Sequence, residues 1–116
     1  MSQKAITPFS PYIVNGNTVY VSGQLPVDKN GNIPESVGEQ TKVCLQNLKE
    51  QLRKAGFQPN EIVKVTVMIT DFSRFGEMNE AYLQELEEPY PARSAFECTR
   101  LAKDAKVEID CIASHR

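Results

Sequence analysis

The chain has 116 residues, a formal net charge of −2 and a pI near 5.4, with 41% hydrophobic and 24% charged residues. This length supports one hydrophobic core, so we expect a single domain over residues 1–116, in which any large cleft must come from oligomerisation. The negative net charge argues against a broad surface that binds nucleic acid or an anionic membrane, because both surfaces need clustered Lys and Arg. A small local RNA site is still compatible with this charge.

Cysteine and histidine usage excludes several kinds of site. Cys44, Cys98 and Cys111 are odd in number and lack C-x-x-C spacing, so neither a disulfide scaffold nor a zinc knuckle is indicated. His115 is the only histidine, which rules out two imidazole ligands from one chain. The segment Met1–Thr7 has no apolar signal-peptide core, and no later stretch is long enough to span a bilayer. We therefore expect reduced cysteines and a cytoplasmic location.

The first predicted elements are a hairpin and a turn. Tyr12–Val14 and Thr18–Val21 are strand-forming segments, and Asn15-Gly16 between them tolerates the positive φ of a type I′ turn. The segment Asp28–Asn32 predicts a further turn. Its acidic and amide spacing also resembles part of a calcium loop, but Ile33 stands where such a loop requires glycine, so calcium is disfavoured.

The next predicted element is a helix of about twenty residues. Ser36 and Glu39 have the spacing of a capping box, which predicts that the helix begins at Ser36, and Gly56 supplies a left-handed stop. Its apolar residues recur mostly every three or four positions, as on a one-faced helix. They are Val37, Cys44, Leu45, Leu48, Leu52 and Ala55.

The second half of the chain predicts a core strand, a helix and two final strands. The strand is Ile62–Thr70, and a helix starting near Asp71 or Ser73 ends by Pro89. The final strands are Ala92–Thr99 and Val107–Ser114. The expected buried residues are Val63, Val65, Val67 and Ile69 on the strand, and Phe75, Met78, Tyr82 and Leu86 on the helix, with Asn79 flanking them.

These elements predict an α+β fold, a two-layer sandwich with both helices on one face of a single mixed sheet. The opposite face of the sheet then needs a cover. In a chain of this size another copy of the chain is the simplest cover, so we expect a homo-oligomer.

Two charged residues inside predicted strands are the candidate chemical groups. Alternation places Arg93 on one face with Ala95 and Glu97, and Glu108 on one face with Asp110. We expect these polar faces to coincide on the side of the sheet away from the helices. A guanidinium binds a substrate carboxylate in bidentate fashion, and a carboxylate beside it takes a proton from water. A cross-strand salt bridge on a solvated face is the alternative explanation.

The segment Pro91-Ala92-Arg93-Ser94-Ala95-Phe96-Glu97, followed by Leu101 and Val107-Glu108-Ile109, resembles the signature of the Rid family. These are reactive intermediate deaminases, also called YjgF or L-PSP endoribonuclease-like proteins. The resemblance extends from Ala5 to Ala113. Further matching segments, in the family's order, are Pro11-Tyr12, Val21-Ser22-Gly23-Gln24-Leu25-Pro26, Ala55-Gly56, Ile62–Val67, Asp71-Phe72 and Met78–Tyr82.

The resemblance implies a chorismate-mutase-like fold in a barrel-like homotrimer with sites in the clefts between subunits. It also implies hydrolysis of enamines and imines, such as 2-aminoacrylate, to 2-keto acids and ammonia, without metal or organic cofactor. Arg93 matches the family's carboxylate clamp and Glu108 the acid that activates or orients water. Tyr12, Ser22 and Asn79 match pocket-lining positions, and the backbone at Ala95 matches a substrate contact.

The chain departs from the family pattern at a few of these places. Ala95 stands where bacterial deaminases often carry cysteine, Ser10 replaces the usual glycine, and Ile13 replaces a more polar residue. Two other functions stay open: a module that binds small carboxylates such as keto acids without turnover, and a weak endoribonuclease. The acidic pI and the single histidine disfavour the ribonuclease.

Overall fold

The computed structural model describes residues 7–115, so Met1–Ile6, which include most of the Met1–Thr7 segment, lie outside the described residues. Five strands form one sheet in the order β1-β2-β5-β3-β4, in which β3 and β4 are parallel and the other neighbours antiparallel. The predicted α+β sandwich is confirmed. Its elements are β1 (Tyr12–Asn15), β2 (Thr18–Gln24), α1 (Val37–Ala55), β3 (Ile62–Ile69), α2 (Phe75–Glu85), β4 (Ala92–Glu97) and β5 (Val107–Ser114).

The β1–β2 hairpin is confirmed, but its turn is one residue later than predicted. Asn15 pairs with Thr18, so the central residues of the turn are Gly16 and Asn17. Gly16 has φ +62°, whereas Asn17 has no positive φ. This fits a type II′ turn, which requires glycine only at its first central position, and the predicted type I′ turn at Asn15-Gly16 is wrong.

Helix α1 begins and ends at the capping residues that the sequence predicts. The Ser36 hydroxyl accepts a hydrogen bond from the Glu39 amide at 3.1 Å, and Gly56 adopts the left-handed conformation at φ +88°. The predicted apolar face is buried from Val37 to Leu52, and Ala55 is partly buried against the core.

Strand β3 differs from its predicted alternation at its first residues. Its pairing with β5 shifts between Ile62 and Lys64, so Ile62 is buried and Val63 is 42% exposed. From Val65 onward the predicted alternation holds, and β3 ends at Ile69, one residue before Thr70. A register shift of this kind changes which side chain faces the core.

Helix α2 begins at Phe75, later than predicted. Asp71 does act as a cap, because its carboxylate accepts a hydrogen bond from the Ser73 amide, but it caps a short 3-10 turn that precedes α2. The helix ends at Glu85, and Leu86 is buried just beyond it. Strand β4 likewise ends at Glu97, two residues short of Thr99.

One face of the sheet packs against the helices, and the other, here called the open face, has no helix over it. On β5, Val107, Ile109, Cys111 and Ala113 are buried toward the helices, while Glu108, Asp110 and Ile112 lie on the open face. Tyr20, which pairs with Ile112, and Phe96, which pairs with Met68, are each 47% exposed there. Exposed aromatic side chains on an uncovered sheet face are typical of a surface that another chain covers.

Candidate functional site

Arg93 lies on the helix-covered side of edge strand β4. It pairs with buried Val65, so both side chains point toward the helices. Its Nη1 donates a hydrogen bond to Oδ1 of Asn79 at 2.7 Å, and its Cζ lies 4.8 Å from the ring centroid of Tyr82. The expectation that Arg93 and Glu108 share the open face is therefore wrong. The cause is the register of β4 on β3, which pairs Arg93 with the helix-facing Val65 and which the alternation within each strand did not reveal.

Arg93 is also not part of a salt bridge. Within residues 7–115, no carboxylate lies at ion-pair distance from its guanidinium, whereas Arg53 and Arg74 are paired with Glu50 and Glu77. The cross-strand salt bridge considered above is therefore not formed. The donors of such a guanidinium are able to bind an external carboxylate in bidentate fashion.

Glu108 lies on the open face of β5, beside β2. Its carboxylate occupies the space above Gly23, since a Cβ added at Gly23 would collide with Oε2 of Glu108. Burial raises the pKa of Glu108 above its ordinary value, and the charge of Asp110 raises it further. A carboxyl group with a raised pKa exchanges protons closer to neutral pH, as general acid–base catalysis requires.

Ser22 and Tyr12 lie in β2 and β1, at the end of the sheet away from β4. The Ser22 hydroxyl donates a hydrogen bond to the Ser10 carbonyl, and the Ser22 amide donates to Pro11 at 3.0 Å. This leaves the hydroxyl oxygen of Ser22 able to accept a further hydrogen bond. Tyr12 faces the helix side, with its hydroxyl 3.5 Å from the Lys54 carbonyl. Because β1 and β4 are opposite edges of the sheet, Tyr12 and Arg93 are far apart.

Ala95 exposes backbone groups at the free edge of β4. The Cys98 amide donates to the Ile69 carbonyl, so alternate residues of β4 direct their backbone toward β3. Arg93, Ala95 and Glu97 consequently direct their N–H and C=O groups away from the sheet, as an edge strand does. The Ala95 backbone is thus available to a ligand on the same edge as the Arg93 side chain.

Two sets of site residues result. Arg93, Asn79 and Ala95 lie together at the β4 edge, and Ser22 and Glu108 lie together on β2 and β5, with β3 between the sets. Sequence reasoning treated Phe75 and Tyr82 as core residues only, although their spacing from Asn79 along a helix places all three on one face. It had no signal for the role of Gly23, which depends on the pairing of β2 with β5.

The Asp28 segment forms a turn, and both this turn and the buried cysteines carry groups that could bind a metal. Oδ1 of Asp28 accepts hydrogen bonds from the Asn30 and Asn32 amides at 2.9 Å, which makes the segment the predicted turn. Within residues 7–115, no group of three metal-binding side chains is present. Burial, and secondarily the charge of Asp110, raises the pKa of Cys111 to about 12, which favours the protonated thiol at neutral pH.

Comparison with known proteins identifies the family. The sequence model of the family described as Endoribonuclease L-PSP matches residues 1–115. The chain belongs to this family, the Rid family indicated by the residues around Arg93. Its relatives include a RutC family protein of Pyrococcus horikoshii, 42% identical over 95% of this chain and 89% of the relative. The 2-iminobutanoate/2-iminopropanoate deaminase of Escherichia coli K12 is 40% identical over 97% of this chain and 91% of its own length.

Solved structures of the Rid family have the same fold. The crystal structure of E. coli TdcF with bound serine superposes with a TM-score of 0.90, at 40% identity, over 97% of this chain and 91% of that one. The YjgF gene product of E. coli superposes with a TM-score of 0.89, also at 40% identity and the same coverage. The helix layer and the mixed five-stranded sheet are therefore features of the Rid fold. No helix in the part of the chain described is both long and apolar enough to cross a bilayer.

Proposed function

We propose that this protein hydrolyses reactive imines and enamines of the 2-aminoacrylate type to 2-keto acids and ammonia, as a hydrolase of the 2-iminobutanoate/2-iminopropanoate deaminase type. Family membership and the name of the E. coli relative support this activity. The observation that carries the proposal is Arg93, a partly buried guanidinium without an internal counterion within residues 7–115. Every substrate of this class presents a carboxylate that such a group binds.

The proposed reaction needs orientation, water and proton transfer. An enamine first tautomerises to the imine, and Arg93 and the outward Ala95 backbone hold its carboxylate. Glu108 takes a proton from water as the water oxygen forms a bond to the imine carbon, and the nitrogen takes a proton from solvent, which gives the carbinolamine. Glu108 then gives its proton to the carbinolamine nitrogen, the hydroxyl loses its proton to solvent as the C=O bond forms, and the C–N bond breaks to release ammonia and the keto acid. Because an imine is already electrophilic, these groups suffice without metal or organic cofactor.

We propose that each site is shared between two subunits of a homotrimer. Arg93 and Glu108 point to opposite sides of the sheet, and β3 separates their strands. Adjacent strands are about 4.8 Å apart, so β4 and β5 are separated by two such spacings. Because their side chains also leave opposite faces of the sheet, Arg93 and Glu108 of one chain cannot face one substrate. One subunit would supply Arg93, Asn79 and Ala95, and its neighbour Glu108 and Ser22, while Tyr12 of the adjacent edge strand β1 faces the helix side and would contribute only from the rim of the cleft. Such head-to-tail contacts close into a ring, and the exposed aromatic residues of the open face support this assembly.

We further propose a cytoplasmic location. Cys44, Cys98 and Cys111 are all free thiols, and two of them are buried. Free cysteines of this kind are typical of proteins in reducing compartments.

An imine-quench assay tests the proposed activity. An amino-acid oxidase generates 2-imino acids in the presence of semicarbazide, and loss of the semicarbazone signal on adding the protein reports hydrolysis. Wild type should suppress the signal, and Arg93→Ala, checked for assembly by light scattering, should not. Wild type that leaves the signal unchanged over several amino-acid precursors would contradict the proposal.

A binding-only function is the main rival, because the TdcF structure contains bound serine, an amino acid with a carboxylate. Both functions need Arg93, but only turnover needs Glu108. Under the enzymatic proposal, Glu108→Gln abolishes turnover and still binds 2-oxobutanoate. If wild type binds 2-oxobutanoate without hydrolysing any imine, the binding function takes its place. RNA cleavage that survives purification and disappears in Arg93→Ala would instead favour the ribonuclease.

A further inference from the structure

Three residues of α2 interact with the Arg93 guanidinium through one side-chain amide and two aromatic rings. Asn79 accepts from Nη1 at 2.7 Å, while Cζ lies 4.8 Å from the Tyr82 centroid and 5.5 Å from the Phe75 centroid. Residues 75, 79 and 82 are spaced by four and three positions, so one face of α2 presents all three to the guanidinium. Phe75 in turn stacks on Phe72 at 5.2 Å.

This arrangement holds the cation without using most of its donors. A guanidinium has five N–H groups, and within residues 7–115 Asn79 is the only hydrogen-bond partner of Arg93. Aromatic rings attract the guanidinium through its flat face and leave its N–H edge open. A carboxylate partner would fix the side chain equally well, but it would neutralise the charge and occupy the donors that a substrate carboxylate needs.

Tyr82 contributes its ring to this arrangement, and its hydroxyl does not contribute a hydrogen bond. The residue is 3% exposed, and the hydroxyl is buried without a hydrogen-bond partner. Burial raises the pKa of this phenol, so the group stays neutral. A tyrosine held rigidly by the core therefore provides a fixed surface under Arg93.

We propose that Tyr82 and Phe75 are positioning residues, which hold the Arg93 guanidinium by its faces so that its N–H edge is presented to the carboxylate of a 2-imino or 2-keto acid. This inference rests on the proposed function and adds to it the groups that orient the clamp. Neither ring touches the reacting carbon in this scheme. Their loss weakens carboxylate binding, and the core packing of α2 remains supported by Met78 and Ala81.

The test compares Tyr82→Leu and Phe75→Leu with the conservative Tyr82→Phe, using Gln84→Ala on the exposed side of α2 as the control. The Kd of 2-oxobutanoate is measured by calorimetry, KM and kcat by the imine assay, and assembly by light scattering. Loss of a cation–π contact should raise Kd and KM about 3- to 30-fold, with a smaller change in kcat. Tyr82→Phe, which keeps the ring, should retain tight binding.

Several results would overturn the inference. The first is that the Leu variants assemble and keep the wild-type Kd and KM. The second is that Tyr82→Phe binds 2-oxobutanoate as weakly as Tyr82→Leu does. The third is that wild type does not bind 2-oxobutanoate. Phe75→Leu is the safer variant for folding, because Phe75 is only partly buried. If wild type hydrolyses imines but the Leu variants bind normally, the positioning inference alone fails. If wild type binds but never hydrolyses, and the Leu variants bind weakly, the activity alone fails.

Discussion

Arg93 and Glu108 project from opposite sides of one sheet, with β3 lying between the strands that carry them. Arg93 faces α2 and its aromatic rings, and Glu108 lies on the open face above Gly23. The proposed carboxylate clamp and the proposed proton-transfer group therefore lie on opposite faces of the sheet, where one bound molecule cannot reach both. Chemistry that uses both residues must bring two chains together.

Gly23→Ala should impair turnover because the new methyl group would occupy the space of the Glu108 carboxylate. We expect kcat to fall at least about tenfold, since displacement of a catalytic group by an ångström is costly. The control is Gly76→Ala on α2, where a Cβ meets no atom within 4 Å, and it should leave kcat unchanged. Equal kcat values for the two variants and wild type in the imine assay would contradict this role.

Glu108→Gln should stabilise the protein at neutral pH. Burial, and to a smaller extent the charge of Asp110, raises the pKa of Glu108. The folded chain therefore binds a proton at this carboxylate more tightly than the unfolded chain does. The stabilisation is fully present below the ordinary value of 4.5 and is lost as pH rises through the raised pKa. Glutamine removes that loss. In urea titrations, the variant should exceed wild type in free energy of unfolding at about pH 7 and match it near pH 4. A difference that grows toward acid pH would refute the assignment.

The same raised pKa should set the acid limb of the pH–rate profile. A base must be ionised to accept a proton from water, so kcat should fall as pH drops through the pKa of Glu108. Asp110→Asn removes a neighbouring negative charge that raises this pKa, so the limb should move to lower pH. A limb that stays in place in Asp110→Asn would indicate that another group controls it.

Tyr82→Phe should leave the fold as stable as wild type or make it more stable. The buried hydroxyl of Tyr82 has no hydrogen-bond partner, so its removal should add about 1 kcal/mol to the free energy of unfolding. Tyr82→Leu leaves a cavity and should lower stability by about 2 kcal/mol or more. Urea denaturation of both variants measures the difference, and a clear loss in Tyr82→Phe would reveal a partner for the hydroxyl.

The fold was predictable where local signals determine it. The Ser36 cap, the apolar spacing of α1 and Gly56 define a helix without knowledge of its neighbours. The start of β3 was not predictable in the same way, because the exposure of Val63 depends on how β3 pairs with β5. The hairpin turn was misplaced by one residue for a related reason, since pairing of Asn15 with Thr18 determines which residues are central.

The candidate site was likewise predictable only where local sequence determines it. Alternation placed Arg93 with Ala95 and Glu108 with Asp110, but not the two strands relative to each other. That relation depends on the register in which β4 pairs with β3, a contact between segments far apart in sequence. The resemblance of the Arg93 segment to the Rid signature indicated Arg93 as the proposed clamp, whereas the contact of Tyr82 with Arg93 and the closeness of Gly23 to Glu108 required the structure.

Mixing two inactive variants tests the shared site most directly. Arg93→Ala and Glu108→Gln chains are unfolded and refolded together in equal amounts, and imine hydrolysis is compared with each variant refolded alone. If a site takes Arg93 from one subunit and Glu108 from the next, about one quarter of the sites in a randomly mixed ring carry both, so about a quarter of wild-type activity should return. Mixed assemblies that stay as inactive as either variant would contradict a site shared between subunits.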